Sequence, residues 1–164
     1  MKRVAVIADT HLPRGTRALP EQCLDLLRRA DVILHAGDFT SAAFLEELRA
    51  LGPPVHGVSG NMDEPALKES LPKQHVVEVD EARIGMVHVP GPAAGRAARL
   101  RAKFPDCQAV VYGHTHIPEA VEEEGVWILN PGSPTERRKA PARSMLVLAV
   151  AGAQLAPKLV RLDP

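Results

Sequence analysis

Residues 109–116 read Ala109-Val110-Val111-Tyr112-Gly113-His114-Thr115-His116: four apolar side chains, a glycine, then two imidazoles two positions apart. A run apolar at every position suits a strand covered on both faces. In an extended segment side chains i and i+2 point the same way, so His114 and His116 are expected to converge at the strand's end, at metal-ligand spacing. Residues 4–11 repeat the device, Val4 to Ala8 running into Asp9-Thr10-His11. Either pair alone reads as solvated or core-satisfied side chains. Two pairs at the ends of two apolar runs point to one shared site.

The same pattern extends between and beyond these stretches. After a loop at Leu12-Pro13-Arg14-Gly15, Cys23, Leu24, Leu26 and Leu27 fall on a helical stripe between Pro20 and Ala30. Asp31 to Ala36 reads as a buried strand ending in Gly37-Asp38. A helix from Ser41 to Leu51, with Ser41 as N-cap, leads to a short strand at Val55 to Val58 and then to Ser59-Gly60-Asn61-Met62-Asp63. Repeated strand–helix units build a parallel sheet, and such sheets bind ligands beyond the carboxyl ends of their strands. Further on, Val76 to Val79 with Ile84 to Val89, Pro118 to Glu122 with Val126 to Leu129, and Ser144 to Val150 with Leu155 to Leu162 read as three hairpins. His88 closes a strand, and a basic helix spans about Arg96 to Phe104. Glu122 to Glu124 form a solvated turn. Strands dominate the second half, which predicts two sheets stacked face to face with helices outside.

Bulk properties narrow the partners. At 164 residues the chain fits one domain, residues 1–164, with a real core. Twenty basic and twenty acidic residues cancel, so no footprint for duplex nucleic acid or an anionic membrane is visible, and a small substrate is expected. No apolar run approaches the ~20 residues of a spanning helix, and the start is too short for a signal-peptide core, so the expected location is the cytoplasm. Cys23 and Cys107 read as buried reduced thiols. A homo-oligomer is left open. The chain nearly avoids Asn, keeping only Asn61 and Asn130, and each calls for a reason.

The candidate donors are Asp9, His11, Asp38, Asn61, Asp63, His88, His114 and His116, each at a predicted strand end. Mixed imidazole and carboxylate ligands suit Mn, Fe, Co, Ni or Zn rather than Ca or Mg. With Asp63 set aside, seven ligands exceed the needs of one ion. Two ions about 3.5–4 Å apart sharing a carboxylate would use all seven and could clamp the attacking and leaving oxygens of an in-line phosphoryl displacement.

At these residues the chain resembles the calcineurin-like metallophosphoesterase superfamily, and within it the small bacterial and archaeal phosphodiesterases to which a retromer subunit is also related. The resemblance runs from Asp9 to Asn130-Pro131-Gly132-Ser133. It implies a four-layer α/β/β/α sandwich, two facing mixed β-sheets with helices outside. It implies two divalent transition-metal ions (Mn, Ni, Fe or Zn), the first held by Asp9, His11 and His116, the second by Asn61, His88 and His114, with Asp38 bridging. The expected activity is hydrolysis of a phosphodiester by a metal-bridging water or hydroxide, with Asp38 and Asn61 acting through that water and no protein nucleophile. The alternative is a catalytically weak scaffold of the same fold that binds protein partners, as the retromer relative does. A nuclease is disfavoured by the neutral charge and the lack of a capping domain.

Two positions depart from the family pattern. Larger members carry His where this chain has Met62, and a thioether cannot donate a proton; the expectation is a preference for leaving groups of low pKa, or assistance from water or Asp63. The subgroup often has His where this chain has Pro90, so contacts above the second metal are expected to differ. Asn130 reads as a turn residue that could also orient a ligand histidine. Arg14, Arg17, Arg137 and Arg138 lie on loops that could overhang the site, and Arg14, Arg138, Asp63 and Asn130 are expected either to support the ligands from behind or to contact substrate. His35 reads as a buried, hydrogen-bonded histidine, and His56 and His75 as structural.

Overall fold

Along the first strand Val4 and Val6 face one way and Ala5 and Ile7 the other, and all four are fully buried. That is the expected outcome of an unbroken apolar run, and it makes this strand the middle of a layered molecule. The computed structural model describes residues 1–162.

The chain runs β1 (Lys2–Ile7), α1 (Glu21–Arg28), β2 (Val32–His35), α2 (Ala42–Arg49), β3 (Val55–Gly57), α3 (Pro65–Ser70), β4 (Gln74–Val79) and β5 (Ala82–Val87). It continues with α4 (Arg96–Lys103), β6 (Ala109–Tyr112), β7 (Glu119–Glu123), β8 (Val126–Asn130), β9 (Ser144–Ala151) and β10 (Gln154–Arg161). The first sheet has the order β10-β9-β1-β2-β3 and the second β4-β5-β6-β8-β7. Both are mixed: β1, β2 and β3 are parallel, as are β5, β6 and β8, while the hairpin partners run antiparallel.

Three apolar clusters fill the three spaces between four layers. Val4, Val6, Leu34, Leu146 and Leu148 of the first sheet meet Val77, Ile84, Met86, Val111 and Leu129 of the second. The outer face of the first sheet is covered through Cys23 and Leu27 of α1, Phe44, Leu45 and Leu48 of α2, and Leu67 of α3. The outer face of the second is covered by Leu100 of α4 and by Phe104. The α/β/β/α sandwich is therefore present, with about 1.5–3 kcal/mol of burial per large apolar side chain holding each layer. Cys23 and Cys107 are buried free thiols, and burial pushes the Cys23 thiol up to about 12.

Ser41 caps α2 by accepting from the Phe44 N–H, as its position foretold. The short helix α3 has no counterpart in the sequence expectations. Six residues with Leu67 as the buried one carry no readable period, although Pro65 at its start was a legible signal.

Register places the site. Ile7 pairs with His35 and His35 with Gly57, so β1, β2 and β3 end level with one another. Val87 pairs with Tyr112, so His88 and Gly113 leave the second sheet together. The His88 Nδ1 donates to the Ala36 carbonyl at 2.8 Å, joining the two edges.

Candidate metal centre

The donors do not lie on the pleat of a strand. β1 ends at Ile7 and β6 at Tyr112, and the residues beyond them turn into loops. Asp9, His11, Asp38, His114 and His116 have φ of 55°, 47°, 61°, 73° and 63°, making five of the nine positive-φ non-glycine residues among those described. The left-handed region costs a β-carbon-bearing residue about 1–2 kcal/mol, and such strain concentrates where function demands it. The expectation that His114 and His116 converge through strand alternation is corrected accordingly. Kinked backbone aims them, and they face different partners.

Asp9, His11 and His116 form one set. The His116 Nε2 stands 3.4 Å and the His11 Nε2 3.9 Å from the Asp9 Oδ1, and all three side chains are buried. Asn61, His88 and His114 form the other. The Asn61 Oδ1 lies 3.0 Å from the His88 Nε2 and 3.2 Å from the His114 Nδ1. Between the sets sits the Asp38 Oδ2, 3.6 Å from the His11 Nε2 and 3.2 Å from the His88 Nε2, while its Oδ1 accepts from the Met62 N–H. All seven side chains thus meet at the joined sheet edges.

The surrounding bonds fix these groups. Because the His88 Nδ1 must carry the proton given to the Ala36 carbonyl, the neutral ring offers the Nε2 lone pair to the centre. Burial works against the His88 imidazolium, but its hydrogen bond to the Asp38 carboxylate and the charges of Asp9 and Asp38 outweigh it and raise its pKa. Burial pushes the Asp38 carboxyl up, but its bonds to His88 and the Met62 N–H hold it below the usual range. For His11, burial prevails over the pull of Asp38 and Asp9 and lowers the pKa.

Asp63 does not face the cleft. Its Oδ2 accepts from the N–H groups of Gly60 and Asp38 at 2.7 and 3.2 Å and its Oδ1 from Thr40 at 2.8 Å, so the buried carboxylate ties the Asn61 loop to the Asp38 loop. Burial raises its pKa. The Asn130 Nδ2 donates to the Thr115 Oγ1 at 3.0 Å while its Oδ1 accepts from the Gly132 N–H at 2.8 Å, so it forms its own turn and also holds the His114–His116 loop. His35 is fully buried, stacked on Phe39, with its Nδ1 accepting from the Gly37 N–H and its Nε2 against the Thr10 hydroxyl. His56 and His75 stack on each other at 5.9 Å and belong to neither donor set.

Glu136 escaped the sequence reading. Ser133 and Thr135 donate to the carbonyls of Asp9 and Thr10, folding this loop over the first donor set. That brings the Glu136 Oε1 to 3.0 Å from the His116 Nδ1, while its Oε2 accepts from Arg17 at 2.8 Å and Arg138 approaches at 3.0 Å. Burial pushes the Glu136 carboxyl up, but Arg17 and Arg138 outweigh it and hold the pKa down. The one signal available was a lone glutamate between the Pro131-Gly132-Ser133-Pro134-Thr135 turn and two arginines, which looks like surface.

The centre fits a cation on its own chemistry. The Asp9 Oδ1 and the His11 Nε2 are buried without a hydrogen-bond partner, and an unpartnered buried acceptor costs roughly 1–3 kcal/mol. Asp9, His11 and His116, and likewise Asp9, Asp38 and His88, bring their ligand atoms within 4.8 Å of one another. Oxygen and imidazole donors gathered this closely, two of them buried without a partner, are what a divalent transition metal satisfies.

The model of the calcineurin-like phosphoesterase superfamily domain matches residues 1–153. The chain belongs to that superfamily. It is 38% identical over 160 residues to a probable metallophosphoesterase of Methanothermobacter thermautotrophicus, covering 96% of this chain and 91% of the relative. Among solved structures it is similar to vacuolar protein sorting 29 from Cryptosporidium parvum, with a TM-score of 0.84 and 26% identity over 99% of this chain and 92% of that one. It is also similar to the wild-type Vps29 of Entamoeba histolytica complexed with zinc, with a TM-score of 0.76 and 26% identity over 98% and 99% of the two chains.

In this calcineurin-like phosphoesterase the cleft over the donors is about 180 Å³ and is walled by Arg14, Met62 and Arg138. Two of the four arginines named from sequence therefore stand at its mouth. Arg17 is spent on Glu136, and Arg137 lies exposed outside the cleft lining. No helix of the described residues is long and apolar enough to cross a membrane.

Proposed function

We propose that this phosphoesterase is a dinuclear-metal-dependent phosphodiesterase. The observation that carries the reading is the Asp38 Oδ2, 3.6 Å from one donor set and 3.2 Å from the other. Asp9, His11 and His116 would hold one divalent cation, Asn61, His88 and His114 the second, and Asp38 both. Bound there, the cations would supply Lewis acidity, activating a water near neutral pH and neutralising charge on the phosphoryl oxygens. The protein's own part is to hold seven donors in place, five of them on left-handed backbone, and to present Arg14 and the terminal nitrogens of Arg138, whose Nε is turned to Glu136, to the non-bridging oxygens of a small phosphoester.

Leaving-group protonation is the weak point of the machinery. Met62 has no proton to give, and Asp63, the other residue within reach in sequence, has its carboxylate turned onto three backbone N–H groups. Diesters with leaving groups of low pKa should therefore be hydrolysed fastest.

The similarity to vacuolar protein sorting 29 supports a second reading, a scaffold that binds protein partners. The buried, unpartnered Asp9 Oδ1 and His11 Nε2 favour the enzyme, since a scaffold gains nothing from leaving such groups bare. Protein purified without chelator, assayed for bound metal and for hydrolysis of bis(para-nitrophenyl) phosphate with manganese or nickel, separates the two. Bound metal with turnover that Asp38→Ala abolishes is expected. No metal and no turnover would leave the scaffold.

A further inference from the structure

A cavity of about 480 Å³ opens beside the second donor set, with Asn61 and His88 in its wall. Asn61 also lines the cleft over the donors, so the two spaces meet at that residue. Lys68 of α3, Lys73 of the loop before β4 and Lys103 at the end of α4 line the cavity, and no acidic side chain does. The chain has only six lysines, and half of them, from three separate elements, converge here in a protein of zero net charge. Every ion pair of lysine or arginine among the described residues is made by arginine, so these ammonium groups are not neutralised by a carboxylate. Lys103 donates to the Gln74 Oε1 at 3.4 Å. Val87 and Val89 add an apolar wall.

Three uncompensated cations around a concave space concentrate anions there, and a lysine ammonium is a point-charge partner for phosphate. We infer that this cavity is an anion subsite, so that the substrate is a phosphoester carrying a second phosphate on an arm that reaches from the donor cleft past Asn61. The inference rests on the phosphodiesterase reading and specifies the substrate class of the same centre.

The test uses the manganese-loaded full chain and a pair of para-nitrophenyl propyl phosphodiesters, one whose arm ends in a hydroxyl and one whose arm ends in a phosphate. The phosphate-ended ester should be favoured in kcat/KM by at least about tenfold, mostly through KM. Joint replacement of Lys68, Lys73 and Lys103 by alanine should bring the ratio toward one, and joint replacement by arginine should keep it. General damage to the fold lowers both rates and leaves the ratio alone. A ratio near one in the parent protein, or a ratio the alanine variant retains, overturns the inference. If neither ester is hydrolysed, the phosphodiesterase reading fails, and calorimetric binding of the same esters decides the subsite. Tighter binding of the phosphate-ended ester that the alanine variant loses upholds it; equal binding overturns it.

Discussion

The two donor sets are built from similar atoms and differ in how they are enclosed. Asp9, His11 and His116 are buried and strapped from outside, with Ser133 on the Asp9 carbonyl, Thr135 on the Thr10 carbonyl and Glu136 against the far nitrogen of His116. In the other set only His88 is buried; Asn61 and His114 are exposed, His114 on the donor cleft and Asn61 on both that cleft and the neighbouring cavity. A carboxylate charge 3.0 Å behind the His116 ring favours a cation on the ring's other nitrogen, although the two atoms lack hydrogen-bond geometry. The enclosed set should therefore bind a cation tightly and exchange it slowly, while the open set should bind more weakly and serve as the side where substrate enters.

Asp38 is common to both, so its loss should erase the distinction. Asp38→Ala is expected to lower kcat/KM on an activated diester on the order of 10³-fold. Elemental analysis should show both sets depleted; retention of two tightly held ions would break the comparison. Gly60→Ala acts on the open side. A β-carbon at residue 60 would overlap the Asp38 backbone N and Oδ1, forcing the Asn61 loop outward. A displacement of this size costs roughly 10²-fold in rate. A titration should show the second ion lost and the first retained.

Glu136→Gln tests the enclosed side. Removing its charge should weaken the first ion by about tenfold in a chelator competition and leave the second unmoved. Equal weakening of both would mean that Glu136 braces the loop rather than His116.

The smallest effect concerns His35, which sits under both sets. Burial holds its pKa well below its ordinary 6.5, so the folded protein keeps the ring neutral while the unfolded chain takes up a proton. Its contribution is complete above pH 6.5 and is lost as pH falls below that value. In chemical denaturation of the metal-free protein, His35→Gln should flatten the acid-side slope by up to about 1.4 kcal/mol per pH unit. An unchanged slope would show that ring to be solvated.

Much of this architecture was legible from residue order alone. Val4 to Ala8 and Ala109 to Tyr112, apolar at every step, required cover on both faces, and the three layers of core follow from that requirement. The seven donors could be named because each sits where an apolar run stops, and stopping points of parallel strands share an edge. How they divide was not legible from pattern. His114 and His116 are two residues apart yet serve different sets, because left-handed backbone at both redirects them, and φ is not written in a spacing. Asp63 read equally as a ligand support or a substrate contact, and only the backbone N–H groups that claim its carboxylate decide for the support. Glu136, 20 residues beyond His116, became its partner only through a loop tied to Asp9 and Thr10 across more than a hundred positions. Periodicity reports which faces are buried, a local property of the chain. Which polar group meets which depends on contacts between distant segments, and those exist only after the sheets have closed.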